Sequence, residues 1–258
     1  MKSLEESIAG AMDCDDTALV PWLPYILQDF YEMGSSPTDI LSIVKENMTE
    51  HFSLKVLDLG CGKGAVSICL AEKLGCFCRG IDAVPEFLEE ARRRAVEANV
   101  AERCEFTTGD ARVLVKTLGL YDVIILGSIG PVFGDYCETL MLLQKNLTAK
   151  GIIILDDGYL AEGSNVLHDQ ILQKSELMDQ VQKAGMRLIR EYRSTDAETV
   201  GEYEEEFTLL QKRCTELAER YPEKKELFLG YIRRQRDEYA FLTDSCICST
   251  MVLCPSVR

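Results

Sequence analysis

The sequence predicts an α/β fold built on a doubly wound, mostly parallel sheet. Short apolar runs typical of strands alternate with amphipathic stretches typical of helices, a pattern produced by parallel strands that are joined through crossover helices. Two runs, at 124–126 and 152–155, are apolar throughout, as expected for strands that are buried on both faces. A glycine-rich turn at 60–64 follows the apolar run that begins at Lys55 and precedes a helical pattern. This order supports the alternation of strand, turn and helix.

The predicted regions are a helical N-terminal cap (1–52), a core (53–194), a helical insertion (195–243) and a final core strand (244–258). In the region 1–52, Ser3 and Glu6 have the spacing of a capping box. The apolar stretch 22–31 predicts a second helix, and the sequence from 36 to 48 predicts a third that begins at a serine followed by a proline.

The core elements follow from the alternation of apolar runs and amphipathic stretches. The first strand begins at Lys55, and the later strands are predicted at 76–82, 104–110, 121–127, 152–157, 187–192 and 246–253. Helices are predicted at 85–100, 134–147 and 165–184, with a turn at 147–151. The insertion is predicted to be a helical hairpin that breaks at Tyr221 and Pro222.

Composition indicates an ordinary globular protein. The chain has 258 residues, of which 47% are hydrophobic and 28% are charged. Its apolar runs are shorter than the roughly 20 residues that span a bilayer, and the first six residues carry acids instead of the apolar core of a secretory signal. We therefore expect a cytoplasmic protein with no membrane partner.

Charge and cysteine usage exclude further classes. The net charge of −15 argues against a nucleic-acid partner, because binding phosphates requires clustered Lys and Arg side chains. The 11 cysteines are odd in number and come without a secretion signal, so we expect reduced thiols. The sequence has two histidines and no Cys-x-x-Cys pair, and it predicts no metal site.

The turn after the first strand has two interpretations. Gly60, Gly62 and Ala65 fit the dinucleotide-binding fingerprint, and Asp82 lies at about the spacing of a ribose-binding acid. However, Asp58 lies two residues before the first glycine, where a carboxylate would repel a pyrophosphate. The same carboxylate would attract a cofactor that carries an ammonium and a sulfonium. The second interpretation is therefore favoured.

An apolar run, an acid and then Gly60-x-Gly62-x-Gly64 resembles the first motif of the class I (Rossmann-like) S-adenosylmethionine-dependent methyltransferases. The resemblance covers about residues 52–193 and the final strand. It implies a seven-stranded sheet whose last strand runs antiparallel between strands five and six, S-adenosyl-L-methionine as cofactor, and N-terminal helices that cover it. The insertion departs from the minimal fold and is expected to be a lid, a substrate wall or the contact of a homodimer.

The resemblance also implies roles along the strand ends. Asp58 and the turn would hold the amino-acid end of the cofactor, Asp82 would accept from both ribose hydroxyls, and Asp110 would accept from the adenine amino group. The side chains of Cys61 and Lys63 are expected to face away. The predicted cofactor-binding residues are Asp58, Gly60, Cys61, Gly62, Gly64, Asp82, Ala83, Asp110, Ala111, Leu126, Gly127 and Ser128.

A general base is needed only if the methyl acceptor is protonated. The candidates are Asp156, Asp157 and Tyr159 after strand five and His168 in the following segment. The Asn/Asp-Pro-Pro-aromatic motif of enzymes that methylate exocyclic nitrogens is replaced by Gly127-Ser128-Ile129-Gly130-Pro131. A small-molecule acceptor, methylated on oxygen or nitrogen, is therefore expected.

Three alternatives stay open: a protein methyltransferase, a non-catalytic S-adenosylmethionine-binding protein and, last, a dinucleotide dehydrogenase. A closed pocket beside the methyl group would favour the small-molecule enzyme, and an open groove would favour the protein methyltransferase. Side chains that fill the space facing the methyl group would favour the non-catalytic protein.

Overall fold

A computed structural model describes residues 2–166, 168, 171–193 and 196–256. Within these residues, seven strands form one sheet in the order β3-β2-β1-β4-β5-β7-β6. The strands are β1 (Lys55–Leu59), β2 (Phe77–Asp82), β3 (Cys104–Thr108), β4 (Tyr121–Gly127), β5 (Leu147–Leu160), β6 (Met186–Arg193) and β7 (Cys246–Pro255). Strands β1 to β5 pair in parallel, whereas β7 is antiparallel to both β5 and β6. The predicted doubly wound, mostly parallel sheet is confirmed.

Helices connect the strands and precede the sheet. They are α1 (Leu4–Ala11), α2 (Leu23–Ile26), α3 (Pro37–Asn47), α4 (Ala65–Leu74), α5 (Pro85–Glu97), α6 (Ala111–Leu114), α7 (Tyr136–Leu143), α8 (Lys174–Lys183), α9 (Asp196–Arg220) and α10 (Lys225–Asp244). The capping box of Ser3 and Glu6 is present at the start of α1. Helices α9 and α10 form the predicted hairpin, and a short 3-10 turn at Pro222–Lys224 separates them.

Three local predictions differ from the structure. The turn predicted at 147–151 is wrong, because this stretch is the irregular beginning of β5, where Leu147 pairs with Tyr121 across a register shift. The helix predicted at 22–31 ends at Ile26. The helix predicted at 165–184 begins only at Lys174, where Gln173 and Glu176 cap it; residues 167, 169 and 170 lie outside the described residues.

Each face of the sheet is covered by its own hydrophobic cluster. Alternate residues of β4 show the division, since Val123 and Ile125 belong to one cluster and Ile124 and Leu126 to the other. All four side chains are almost completely buried. This is the arrangement of a parallel sheet with helices on both faces.

A third hydrophobic cluster lies away from the sheet and joins distant parts of the chain. It contains Leu23 and Phe30 from the N-terminal region, Leu210 from α9 and Phe228 from α10. Val84 and Phe87, beside the end of β2, connect this cluster to the core. The N-terminal region and the insertion were predicted separately, but they pack together. From here on, the cap means the unit formed by residues 17–30, α9 and α10, and not the whole N-terminal region 1–52.

All eleven cysteines are free thiols. Among the described residues, no group of three or more His, Cys, Asp or Glu side chains is arranged to hold a metal ion. In the same part of the chain, every helix is too short or too polar to cross a bilayer.

Candidate functional site

The turn between β1 and α4 is held by backbone conformations that favour glycine. Gly60, Gly62 and Gly64 have φ values of 68°, 52° and 76°, in the left-handed region that a side chain disfavours. The N–H groups of Gly60 and Cys61 donate to the carbonyl oxygen of Ile81 at 2.8 and 3.2 Å. The turn is therefore fixed against the end of β2.

The start of α4 lies at the glycine turn. Its N-cap residue, Gly64, has no side chain to cap the helix, and the N–H of Ser67 donates to the Asp58 carboxylate. The first N–H groups of a helix have no partner within the helix, and the helix dipole adds positive potential at this end. An anionic group such as a carboxylate fits this position.

Asp58 lies in β1 just before the turn and is 4% exposed. Its Oδ2 atom accepts a hydrogen bond of 2.7 Å from the Ser67 hydroxyl on α4. Burial raises the pKa of this carboxyl to about 7. A neighbouring cation would favour the charged form, so the position suits an ammonium and opposes a phosphate.

Asp82 is the last residue of β2 and is also buried. Its two carboxylate oxygens accept from the N–H groups of Gly62 at 2.8 Å and Val84 at 2.9 Å. Burial raises its pKa despite these bonds. A carboxylate has about four lone-pair sites, so Asp82 can position the glycine turn and still accept from a ribose diol.

Asp110 is more exposed than the other two acids and caps α6 through the N–H of Arg112 at 2.8 Å. The Arg112 guanidinium also binds both carboxylate oxygens, and this bond holds the pKa of Asp110 below its usual value. The N–H of Gly109 donates to the carbonyl oxygen of Asp82 at 2.9 Å. The three predicted acids thus follow three neighbouring strands at one edge of the sheet, with Ala83 and Ala111 directly after two of them.

The end of β4 forms the next part of this edge. Leu126 is buried, and Gly127 pairs with Asp156 of β5. Ser128 has a φ of 54°, and its N–H donates to the carbonyl oxygen of Asp156 at 2.8 Å. Gly127 lines the same small cavity as Asp58 and Gly60, and the cofactor contacts of Leu126, Gly127 and Ser128 stay a prediction.

Lys63, whose side chain is predicted to face away from the cofactor, is buried in the structure and only 6% exposed. Its Nζ atom donates to the carbonyl oxygens of Leu27, at 2.5 Å, and of Phe30. The Cys61 thiol packs towards Gly80, where a Cβ atom would lie 2.6 Å from the sulfur. The contacts of Lys63 join residues more than thirty positions apart, so no local sequence pattern signalled them.

A small cavity lies between the turn and residues 31–35. Its lining includes Met33, Ser35, Asp58 and Gly127. The enclosed volume is about 20 Å³, enough for one water molecule. Met33 accounts for part of this closure, since a Cβ atom on Gly62 would lie 2.5 Å from its Cε atom.

The candidate bases Asp156, Tyr159 and His168 contact different parts of the molecule. Asp156 accepts from the Thr250 hydroxyl at 2.7 Å, and burial raises its pKa. Tyr159 belongs to the hydrophobic cluster that contains Ile124, on one face of the sheet. Its hydroxyl donates to Glu191 at 2.6 Å. His168 stacks on Phe241, with ring centroids 4.4 Å apart. Its Nδ1 atom accepts from the N–H of Ile171 at 3.1 Å.

Next to Asp156, Asp157 forms a buried pair with Tyr136 that the sequence did not predict. The Tyr136 hydroxyl on α7 donates to Asp157 at 2.5 Å. Burial raises the pKa of Asp157 to about 6 and that of Tyr136 well above its usual value. The two residues are 21 positions apart, so only the fold brings them together.

A family model described as a methyltransferase domain matches residues 50–236. The chain belongs to this family. The resemblance of the glycine turn to class I methyltransferases is thereby confirmed, and the seven-stranded topology agrees with it.

Two curated relatives match part of the chain. The aklanonic acid methyltransferase DauC of Streptomyces sp. (strain C5) is 34% identical over 94 residues, which is 33% of this chain and 43% of that protein. The norajmaline N-methyltransferase of Rauvolfia serpentina is 33% identical over 70 residues, 27% of this chain and 24% of the relative. The chain therefore spans less than half the length of either relative.

A solved structure covers far more of the chain. The S-adenosylhomocysteine complex of a SAM-dependent methyltransferase from Geobacter sulfurreducens aligns with a TM-score of 0.73 at 19% identity. The alignment covers 90% of this chain and 97% of that one. At this identity the likeness shows the fold alone.

Proposed function

We propose that this protein is an S-adenosylmethionine-dependent methyltransferase that methylates an oxygen or nitrogen atom of a small molecule. The observation that carries the proposal is the pair of buried carboxylates, Asp58 and Asp82, on either side of a glycine turn. Together with the uncapped start of α4, they complement a cationic amino-acid nucleoside. A pyrophosphate would be opposed by Asp58.

The roles follow the order of the strands. Asp58 would bind the ammonium group, the first N–H groups of α4 the carboxylate, and Asp82 the ribose hydroxyls. Asp110 already accepts four hydrogen bonds from Arg112, so its proposed contact with the adenine amino group requires Arg112 to give up at least one of them. The backbone at Gly60, Cys61, Gly62, Gly64, Ala83, Ala111, Leu126, Gly127 and Ser128 would line the cofactor.

Held by Asp58, the glycine turn and Asp82, the cofactor would supply an electrophilic methyl group on a sulfonium. Its sulfur would leave with the S–C electron pair as the acceptor lone pair bonds to the methyl carbon. The residues of this chain align the two reactants and exclude water. Alignment of this kind contributes roughly 7–11 kcal/mol to lowering a bimolecular barrier. The glycine turn and the end of β4 provide that alignment through fixed backbone.

Asp156 is the candidate to take a proton from the acceptor. It lies directly opposite Gly127 in the sheet register, and burial raises its pKa, which makes it a stronger proton acceptor than an exposed carboxylate. Tyr159 and His168 are not carried forward, because the Tyr159 hydroxyl already donates to Glu191 and the Nδ1 lone pair of His168 is already used.

A small acceptor is favoured by the cover over the site. Residues 31–35 cover the space before the turn, whereas a protein substrate needs an open groove. The net charge of −15 disfavours nucleic acid. Both curated relatives described above are also named for small molecules.

The test is methyl transfer from cofactor labelled on its methyl group. A cell extract is divided by ultrafiltration into small molecules and macromolecules, and each fraction is incubated with the enzyme and the labelled cofactor. We expect label only in the small-molecule fraction, and excess S-adenosylhomocysteine should suppress it. Label confined to protein would establish the protein-methyltransferase alternative, and cofactor binding without transfer in either fraction would favour the non-catalytic one.

A further inference from the structure

Lys63 is a lysine placed inside the glycine turn with its charge buried. Its ammonium lies among backbone oxygens and 5.8 Å from the centre of the Phe87 ring. Burial lowers its pKa, as expected for a cation taken out of water. Burying a charge is costly unless it is paired or hydrogen-bonded, so the two carbonyl oxygens of Leu27 and Phe30 are what keep Lys63 in place.

Those two carbonyls lie at and just beyond the end of α2. Leu27 is the C-cap residue of α2, and its carbonyl oxygen accepts from the N–H of Phe30 at 3.1 Å as well as from Lys63. The side chains of Leu27 and Phe30 are buried in the cap. Lys63 therefore fixes the place where the chain leaves the cap and enters residues 31–35.

Residues 31–35, the cover segment, then run across the front of the glycine turn. Met33 lies against Gly62, and Ser35 lies against Gly127, where a Cβ atom would be 2.5 Å from its Oγ atom. At the outer end, Tyr31 stacks on the Arg94 guanidinium at 3.9 Å. With the segment in this position, the remaining space of about 20 Å³ admits a water molecule but not the methionine part of a cofactor.

We propose that Lys63 is a positioning residue that holds the cover segment closed over the glycine turn, and that the cofactor enters only when this segment moves away. The inference rests on the proposed cofactor site. The ammonium connects the turn to the segment that covers it, so the strength of its two hydrogen bonds sets the fraction of molecules that are open. The apparent affinity for the cofactor and its association rate rise in proportion to the fraction of open molecules.

Three variants test the proposal. Lys63→Met removes the hydrogen bonds and keeps the aliphatic chain, and Lys63→Arg keeps the charge. Lys73→Met is the control, since it removes an exposed lysine of helix α4 that pairs with Glu72. Amide hydrogen exchange is measured across residues 27–36, and association of S-adenosylhomocysteine is followed by stopped flow. We expect Lys63→Met to increase both rates about 10-fold, Lys63→Arg to restore them at least in part, and Lys73→Met to change neither.

Met33→Ala supplies an independent variant that leaves Lys63 untouched. It removes the side chain that lies against Gly62 and should raise the association rate, whether or not Lys63→Met folds. Unchanged exchange in Lys63→Met, or association no faster in Met33→Ala than in the wild type, would overturn the proposal. If the wild-type protein binds neither S-adenosylmethionine nor its product, the proposed function fails, and the exchange comparison alone still decides the role of Lys63.

Discussion

The carboxyl ends of β1 and β2 build their part of the cleft from neighbours in the sequence, whereas β5 and β7 build theirs from distant residues. On the first side, Asp58, the turn and Asp82 lie within 25 positions and share hydrogen bonds. On the second side, Asp156 meets Thr250, 94 positions away, and the cap joins both ends of the chain. The proposed cofactor side is thus encoded by residues close in sequence, and the proposed acceptor side depends on tertiary packing.

The largest effect is expected from breaking the cap. Phe228 is fully buried and packs edge-on against Trp22, with ring centroids 5.3 Å apart. Phe228→Ala should destabilise the protein by about 3–5 kcal/mol through the cavity it leaves. Hydrogen exchange should show the loss in α9, α10 and the N-terminal region, while the sheet amides stay protected. The exposed Met141 gives the control, since Met141→Ala should change stability by less than about 0.5 kcal/mol.

The next effect concerns Asp82, which serves both the turn and the proposed ribose contact. Asp82→Asn places an amide donor against an N–H group and removes a charged acceptor, so the Kd for S-adenosylhomocysteine should rise about 100-fold. Asp122→Asn is the matched control, because Asp122 also accepts from a backbone N–H, that of Lys55 at 2.9 Å, at the opposite edge of the sheet. Equal loss of affinity in both variants would show that Asp82 acts only through stability.

A smaller, pH-dependent effect follows from Asp58. Its pKa of about 7 means that the carboxyl is neutral below this pH and cannot pair with an ammonium. Cofactor affinity should therefore weaken about 10-fold as the pH falls from 8 to 6, measured by calorimetry at both values. Asp58→Asn should bind weakly with little pH dependence, and a variant that keeps the wild-type slope would contradict the assignment.

The smallest effect tests the acceptor side. Tyr136→Phe removes the donor to the Asp157 carboxylate and should lower stability by about 1 kcal/mol without changing the Kd for S-adenosylhomocysteine. The folded-state pKa of Asp157, about 6, lies above its ordinary value, so ionisation of this buried group costs stability as the pH rises. The variant raises that pKa further, and the loss in Tm should be larger at pH 8 than at pH 5. The reverse trend would contradict this account.

The comparison also explains which parts were predictable from the sequence. The position of Asp58, Asp82 and Asp110 at one edge of the sheet was predictable, because each lies at the end of its own predicted strand and parallel strands bring their carboxyl ends together. Their contacts with a cofactor stay a prediction. The turn predicted at 147–151 failed because pairing of Leu147 with Tyr121 overrides local turn chemistry. The partners of Lys63 and the pairing of Tyr136 with Asp157 arise only from the fold, since nothing in the spacing of these residues links them. The shared core of the cap has the same origin.

The central claim is that carboxylates at neighbouring strand ends bind a cationic amino-acid nucleoside. Isothermal titration of the purified protein with S-adenosylmethionine tests it most directly, with NAD as the competing ligand. We predict saturable one-to-one binding of S-adenosylmethionine that Asp82→Asn weakens and that NAD does not displace. Absence of saturable heat for S-adenosylmethionine, or tighter binding of NAD, would contradict it.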